Sequence, residues 1–96
     1  MSLATEADHK NAEQTWLRLA REYLPLARNL FVELLRHLPA GVNKDDLFAA
    51  GALGLTEAAR RYDPRRNIPF RAYATPRIWG AMVDELRKQL MGGILR

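Results

Sequence analysis

Aromatic rings and arginines alternate in the second half of this chain. The rings are Phe70, Tyr73 and Trp79, and the cations beside them are Arg65, Arg66, Arg71 and Arg77. An aromatic ring can stack on an unpaired base while a neighbouring arginine holds a phosphate group. The combination is therefore typical of a surface that binds single-stranded or melted nucleic acid better than a closed duplex.

Residues able to catalyse a reaction or hold a metal ion are few in this sequence. His9 and His37 are far apart, the chain has no cysteine, and no serine has a partner that could activate it. Asp84 and Glu85 are adjacent, so on a helix their side chains would point about 100° apart. No glycine-rich phosphate loop of the nucleotide-enzyme kind is present either. We therefore expect a binding module that is not an enzyme and uses no cofactor or metal.

The size and composition of the chain predict one small domain. With 96 residues, 48% of them hydrophobic, it can build a single core, and the absence of cysteine rules out disulfides. The apolar runs are short and the N-terminus is polar and acidic, which predicts neither a membrane span nor a secretory signal. We expect a single helical domain over residues 1–96, with a poorly ordered arm at 1–11, in a cytoplasmic setting.

Charge is distributed unevenly along the chain. Residues 1–59 hold six Lys and Arg against eight Asp and Glu, whereas residues 60–96 hold nine against three. A basic end can face phosphate groups while an acidic end faces another protein. A merely solvated surface with uneven charge would give the same counts, so the composition leaves both interpretations open.

The periodicity of the apolar residues predicts an all-α fold, a compact bundle of about four helices without a sheet. The expected helices span about residues 12–23, 24–39, 44–62 and 69–91. Pro25 should bend or break the chain between the first two helices, because proline lacks a backbone N–H. Pro69 suits the first turn of the fourth helix, and Gly92 with Gly93 should end it.

Particular residues should fix the start and the contacts of the third helix. Asn43 can cap it by accepting a backbone N–H, and Asp45 and Asp46 then lie where the helix dipole favours negative charge. Gly51 and Gly54 each lower helix propensity by about 1 kcal/mol relative to alanine. Their presence therefore predicts the close approach of another helix.

In the fourth helix the apolar positions mark a core face, made of Phe70, Ala74, Ile78, Ala81 and Met82. Tyr73 and Arg77 fall on the opposite side at about 100° per residue, so Tyr73 is expected away from the core. Trp79 could pack against the other helices or contact nucleic acid, and its helical phase favours packing.

Several ordered motifs with fixed gaps give the chain a family resemblance. The sequence reads D-L-x-x-x-G-x-x-G-L-x-x-A over 46–58, R-Y-D-P from Arg61, and F-x-x-Y-A-T-P-x-I over 70–78. This order resembles the second region of bacterial RNA polymerase sigma factors. The ending R-I-W-G-A-M-V-D-E-L-R over 77–87 is most similar to the flagellar-type alternative sigma factors. The resemblance covers all but the N-terminal arm and the last few residues.

The resemblance implies two sets of contact residues. One set would bind core RNA polymerase through the clamp helices of its largest subunit, and consists of Asp46, Ala49, Ala50, Ala52, Leu53 and Thr56. The other would recognise and melt the promoter minus-ten element on its non-template single strand, and consists of Arg65, Arg66, Phe70, Arg71, Tyr73, Thr75 and Arg77. In this second set, Tyr73 falls where the family stacks on a flipped adenine. The resemblance also allows an anti-sigma factor as a partner.

The chain departs from the primary sigma factors at several positions. Pro76 and Arg77 stand where those factors have two tryptophans, Gly80 replaces a base-reading glutamine, and Ile68 replaces an aromatic residue. Its promoter preference should therefore differ from the housekeeping type. A whole factor of this kind would continue into further promoter-binding domains, so the chain could be an excised domain or a short natural relative.

Two other functions remain open on the sequence. An autonomous duplex-binding regulator would use a helix-turn-helix, but such a recognition helix begins with polar residues, whereas here it would begin with Pro69 and Phe70. A protein-binding helical module, such as a decoy for an anti-sigma factor, would tolerate loss of the basic face between Arg65 and Arg77. A promoter-melting domain would not tolerate that loss.

Overall fold

Four α-helices and one short 3-10 turn form the part of the chain that the computed structural model describes, residues 14–95, with side chains over 14–92. The helices are α1 (14–22), α2 (Leu24–Leu35), α3 (Lys44–Arg61) and α4 (Phe70–Leu95), and the 3-10 turn is Pro64–Arg66. No strand occurs within these residues, so the all-α prediction is confirmed. The arm expected at 1–11 lies outside the described residues.

The helical conformation is interrupted at Tyr23, between α1 and α2, as the position of Pro25 predicted. Pro25 has no backbone N–H, and the carbonyl oxygen of Tyr23 instead accepts from the N–H groups of Leu26 at 3.0 Å and Ala27 at 3.3 Å. The second helix ends at Leu35, four residues before the expected end at Pro39. Its last carbonyls are satisfied by tighter bonds, since Arg36 and His37 donate to the oxygens of Glu33 and Leu34.

The start of α3 follows the predicted capping pattern. The side chain of Asn43 accepts a hydrogen bond from the backbone N–H of Asp46 at 3.0 Å. Asp45 and Asp46 occupy the first turn, and two arginines occupy the last, so both ends of the helix dipole face an opposite charge. Gly41, at φ 86°, supplies the left-handed backbone that turns the chain from α2 towards this cap.

Close packing of α3 against α4 forms the centre of the fold. A Cβ atom placed on Gly54 would lie 2.9 Å from the Cβ of Ala81 and 3.1 Å from the carbonyl oxygen of Arg77. A Cβ on Gly51 would lie 2.9 Å from the side chain of Met82. The predicted close approach at both glycines is therefore confirmed. The largest fully buried side chains lie beside this contact and are Leu47, Leu55, Ile78 and Met82.

The fourth helix is longer than its sequence pattern indicated. It begins at Phe70, with Pro69 just before it, and the carbonyl of Pro69 accepts from Tyr73 N–H at 3.1 Å. It continues through Pro76 and through Gly92 and Gly93 to Leu95, so the expected end at these glycines is wrong. Glycine weakens a helix but ends one only where it adopts a left-handed conformation.

A side-chain clamp holds the distal part of α4 to the start of α3. The Gln89 amide oxygen accepts from the backbone N–H of Asn43 at 2.8 Å, and its amide nitrogen donates to the Asn43 carbonyl at 3.2 Å. The same nitrogen donates to Glu85 at 3.0 Å. Asn43 therefore both caps α3 and anchors α4.

Candidate nucleic-acid and protein interfaces

A cavity of about 480 Å³ opens where the end of α3, the 3-10 turn and the start of α4 meet. We call it the Tyr73 pocket, and its lining residues are Arg61, Tyr62, Asp63, Arg66, Ile68, Ala72, Tyr73 and Arg77. Three of them are arginines that come from α3, the turn and α4. The pocket thus brings positive charge from three elements around one tyrosine ring.

Tyr73 is half-buried at the base of this pocket. Its ring packs against the core and lies 5.5 Å from the ring of Tyr62, tilted by 53°. The expectation that Tyr73 would stand away from the core is therefore wrong, because Tyr62 at the end of α3 reaches across to it. The guanidinium carbon of Arg77 lies 3.8 Å from the centre of the Tyr73 ring, and Arg77 also donates to the Tyr73 carbonyl at 2.7 Å.

Phe70 belongs to the core of the domain. Its side chain is 5% exposed and makes edge-to-face contacts with Tyr23 at 4.8 Å and Tyr62 at 5.1 Å. This confirms its predicted place on the core face of α4. The same burial argues against the direct DNA contact that the resemblance implies for Phe70, because its ring has almost no surface to offer a base.

The 3-10 turn beside the pocket is held by hydrogen bonds between Asp63 and Arg65. Asp63 accepts from the backbone N–H of Arg65 at 3.0 Å and from its guanidinium at 3.0 and 3.2 Å. Hydrogen bonds from the Arg65 side chain and then from its backbone lower the pKa of the Asp63 carboxyl, and the same carboxylate raises the pKa of Arg65. The charge of Arg65 is thus offset by Asp63, and Arg65 does not line the pocket.

The other predicted DNA-contacting residues are divided between the pocket and its surroundings. Arg66 and Arg77 line the pocket, whereas Arg71 and Thr75 do not. Arg71 is exposed, and the hydroxyl of Thr75 donates to the Arg71 carbonyl at 2.7 Å. That hydroxyl is therefore already engaged by the helix backbone.

Five residues that line the pocket were not among the predicted DNA contacts. They are Arg61, Tyr62, Asp63, Ile68 and Ala72. The Tyr62 hydroxyl donates to the Ile68 carbonyl at 2.6 Å, which holds the loop against the helix. The R-Y-D-P motif was the available signal, but helical periodicity alone could not place it opposite Tyr73.

A second groove lies at the other end of the α3 and α4 contact. We call it the Leu53 groove, a hollow of about 390 Å³ lined by Asp46, Ala49, Ala50, Leu53, Gly54, Glu57, Ala81, Asp84, Glu85 and Lys88. Leu53 is 60% exposed. Four of the predicted protein-binding residues line this groove. Ala52 and Thr56 do not, and the Thr56 hydroxyl donates to the Ala52 carbonyl at 2.9 Å.

A smaller hollow of about 240 Å³ joins the two sites. It shares Arg61 and Arg77 with the Tyr73 pocket, and Glu57 and Asp84 with the Leu53 groove. The cleft between α3 and α4 therefore changes from basic to acidic along its length. This arrangement suits a phosphate-bearing ligand at one end and a basic protein surface at the other.

Other features of the described residues bear on the remaining predictions. Trp79 is half-buried and packs against the core, in agreement with its favoured packing role. Across residues 14–92 no cluster of His, Asp and Glu side chains could hold a metal ion. None of the described helices combines the length and the hydropathy that crossing a membrane requires.

Comparison with known proteins gives a consistent set of relatives. Residues 19–90 match the family described as Sigma-70 region 2. The chain is 42% identical over 84 residues to RNA polymerase sigma factor FliA of Pseudomonas aeruginosa, a match that covers 88% of this chain and 33% of that protein. It is 42% identical over 88 residues to RNA polymerase sigma factor FliA of Escherichia coli K12, covering 92% of this chain and 35% of that protein.

A further relative comes from Bacillus subtilis. RNA polymerase sigma-D factor of Bacillus subtilis is 44% identical over 71 residues, which cover 74% of this chain and 28% of that protein. The chain thus spans about a third of the length of the curated relatives that it matches. No solved structure gives a significant match to the chain.

Proposed function

The chain belongs to the sigma-70 region 2 family and is of the flagellar type, and we propose that it joins core RNA polymerase to promoter DNA during transcription initiation. In this proposal the Tyr73 pocket captures an unpaired base of the minus-ten element, on the non-template strand. The exposed face of α3 binds the clamp helices of the largest polymerase subunit. The observation that carries the proposal is the half-buried Tyr73 ring inside a pocket rimmed by three arginines.

The energetics of base capture explain why both partners are needed. Unpairing and unstacking a base costs a few kcal/mol, and stacking it on an aromatic ring returns about 1–3 kcal/mol. The Tyr73 ring therefore offsets much of the cost but not all of it. Arg61 and Arg66 would add phosphate contacts, and binding to polymerase would supply the rest. Melting should thus require the complex with polymerase.

Arg77 would determine how the base enters the pocket. Its guanidinium covers one face of the Tyr73 ring and is held there by the hydrogen bond to the Tyr73 carbonyl. A guanidinium plane can itself stack on a base. We therefore propose that the base stacks on the paired Arg77 and Tyr73 side chains. Arg65, Arg71 and Thr75 would form the outer part of the DNA surface, with Phe70 supporting it from the core.

The protein-binding half of the proposal depends on the Leu53 groove. Leu53 is exposed on α3, and its neighbours in the groove, Ala49 and Ala50, are small. A partner helix can therefore approach the α3 backbone closely beside Leu53. The groove has four carboxylates against one lysine, which favours a partner with basic residues around an apolar contact. The alanines thus allow a close approach, while the charge comes from residues around them.

Substitution of Tyr73 tests the DNA-binding half of the proposal. The measurement is the affinity of the complex of this chain with core polymerase for a single-stranded minus-ten oligonucleotide. Tyr73→Ala should weaken binding about tenfold, because stacking on the ring is lost, while Tyr73→Phe should be nearly silent. Binding to polymerase itself should be unchanged, since α3 is untouched.

An abasic scan makes this test specific to one base. When the captured base is removed from the oligonucleotide, Tyr73→Ala should cause no further loss, because the ring and the base act as a pair. At the other positions the two losses should add. Equal affinity of folded Tyr73→Ala and wild-type complexes for the intact oligonucleotide would refute base capture by Tyr73.

One observation also bears on an autonomous duplex-binding regulator. The first residue of α4 is Phe70, whose side chain is buried and therefore cannot reach into a major groove. The buried Phe70 therefore does not favour that alternative. A decoy for an anti-sigma factor is tested by the charge reversal described in the Discussion.

A further inference from the structure

The Tyr62 hydroxyl makes a contact that the function proposed so far does not use. Tyr62 directly follows α3, and its backbone there is extended, with φ −64° and ψ 131°. Its hydroxyl donates at 2.6 Å to the carbonyl of Ile68, a residue six positions further along the chain. This distance is at the short end of the range for O–H···O hydrogen bonds. The bond therefore closes the intervening turn onto the end of α3.

The ring that carries this hydroxyl is anchored in the core. It meets the Phe70 ring edge to face at 5.1 Å and lies 5.5 Å from the Tyr73 ring. Phe70 is 5% exposed and contacts the ring of Tyr23 at 4.8 Å. These four rings form a continuous series of contacts. Because close packing restricts the rotation of a ring, the hydroxyl is a fixed point on the body of the domain.

The segment that the hydroxyl holds carries two residues of the Tyr73 pocket. Arg66 and Ile68 both line the pocket, and Ile68 is 42% exposed. Within the turn, backbone N–H groups donate to the carbonyls of Asp63 at 3.2 Å and Pro64 at 3.4 Å. Those bonds join residues of the turn to one another. The bond from the hydroxyl to the Ile68 carbonyl joins the far end of the turn to the core.

A wall that is already ordered favours the capture of a base. A pocket residue on a loose loop must be ordered when the ligand arrives, and this ordering lowers the affinity. Sites on loops therefore need supporting contacts that hold the contacting side chains in place. Removal of the hydroxyl would keep the ring contacts and the stacking surface of Tyr73, but would release Ile68.

From these contacts we propose that Tyr62 is a positioning residue for base capture. Its hydroxyl holds Ile68 as an apolar wall of the Tyr73 pocket, against which the unpaired base packs. The hydroxyl acts through Ile68 and needs no contact of its own with the base. The inference rests on the proposed function, because it assigns a role within the pocket named there.

The first test measures the order of the turn in the chain alone. Trypsin cleaves after arginine, so the rate of cleavage after Arg66 reports how often the turn opens. Tyr62→Phe should raise this rate at least about threefold, because it removes one hydrogen bond that opposes local opening. Tyr23→Phe is the matched control, since it removes the same atom from a ring that also contacts Phe70 but does not line the pocket. Its rate should equal that of the wild type, and an unchanged rate in Tyr62→Phe would overturn the inference.

The second test measures the affinity of the complex with core polymerase for the minus-ten oligonucleotide. Tyr62→Phe should weaken binding about three- to tenfold, while Tyr23→Phe should leave it unchanged. When the captured base is removed from the oligonucleotide, Tyr62→Phe and wild type should bind equally, because the wall then has no base to hold. A residue that only supported the fold would weaken the binding of both oligonucleotides alike.

A double-mutant cycle with Ile68→Ala tests whether the hydroxyl acts through Ile68. Once the side chain of the wall is gone, loss of the hydroxyl should weaken binding clearly less than it does in the wild type. Two losses that simply multiplied would show that the hydroxyl acts independently of Ile68 and would overturn the inference.

The outcomes separate this inference from the function on which it rests. If Tyr73→Ala lowers the affinity for the intact oligonucleotide and Tyr62→Phe does not, base capture stands and the positioning role is wrong. If Tyr62→Phe weakens binding of the abasic oligonucleotide or of polymerase as much as that of the intact oligonucleotide, Tyr62 supports only the fold. If neither variant changes the affinity, the proposed function fails together with the inference.

Discussion

The two ends of the cleft between α3 and α4 solve different recognition problems. At the Tyr73 pocket, side chains from three elements hold one another: Arg77 covers Tyr73, Tyr62 holds Ile68, and Asp63 holds Arg65. At the Leu53 groove, α3 contributes small side chains and one exposed leucine, and α4 contributes charged side chains along the other wall. A pocket for one planar base needs fixed walls, whereas a surface for a helix needs a smooth crest. This difference predicts that the two ends respond to different substitutions.

The largest expected effects come from one substitution at each end. One places a large charged side chain beside the Leu53 groove, and the other reverses a charge in the Tyr73 pocket. Ala49→Arg should weaken polymerase binding by about a hundredfold or more, because a long charged side chain would stand on the crest of α3. Ala49→Ser is the matched control and should bind nearly normally. Arg77→Glu should instead leave polymerase binding unchanged and abolish binding of the minus-ten oligonucleotide by the complex, since it reverses charge within the pocket.

Titration of both variants with both partners checks the comparison. If folded Arg77→Glu lost polymerase binding as well as oligonucleotide binding, the two ends would not be separate sites. A protein decoy for an anti-sigma factor would differ again, because Arg77→Glu would then leave its physiological activity intact. Loss of DNA binding in Arg77→Glu with the physiological activity left intact would therefore favour the decoy.

A smaller effect is expected at the glycines that join the two ends. Gly54→Ala should destabilise the fold by about 1–3 kcal/mol, because the new Cβ would meet the Ala81 Cβ at 2.9 Å and the backbone oxygen of Arg77 at 3.1 Å. Gly51→Ala should cost less, since the atoms in its way belong to the flexible side chain of Met82. Gly80→Ala meets nothing within 4 Å and should stabilise α4 by up to about 1 kcal/mol.

Urea denaturation of these three variants measures the order directly. The free energy of unfolding should decrease in the order Gly80→Ala, wild type, Gly51→Ala, Gly54→Ala. Equal stability of Gly54→Ala and wild type would mean that α3 and α4 are not held as closely as the structure has them.

The smallest effect should come from the ion pair between Asp63 and Arg65, beside the Tyr73 pocket. Arg65 lowers the pKa of Asp63, so the ionised carboxylate is favoured in the folded state. Its stabilising contribution should be fully present above the ordinary pKa of an aspartate, near 3.8, and be lost as the pH falls through the lower folded value. Asp63→Asn should remove this part of the pH dependence while keeping a side-chain oxygen for the Arg65 N–H.

Thermal melts of wild type and Asp63→Asn between neutral and strongly acidic pH test this prediction. We expect the melting temperatures of the two proteins to differ only modestly at neutral pH, because the pair is exposed to solvent. This difference should shrink below about pH 3.8, where the carboxylate begins to be protonated. A difference that grew on acidification would contradict the assigned sign.

The order of the elements and several of their ends were determined by the sequence. Pro25 and the apolar spacing predicted the break between the first two helices, Asn43 predicted the cap of α3, and the two glycines predicted a close helix contact. These features depend on neighbours within about four residues, where proline, capping side chains and glycine act on the backbone directly. The ordered motifs over 46–87 also indicated the sigma-factor family, and the similarity to known sigma factors confirms this prediction.

What the sequence did not determine depends on where separate elements meet. The Tyr62 ring, itself in contact with Phe70, lies beside Tyr73, so Tyr73 is half-buried although its helical phase put it on the polar side. Asp63 offsets the charge of Arg65, and Arg61 enters the pocket from another helix. Helical periodicity states which face a residue occupies, but only the packing of the helices decides what lies opposite that face.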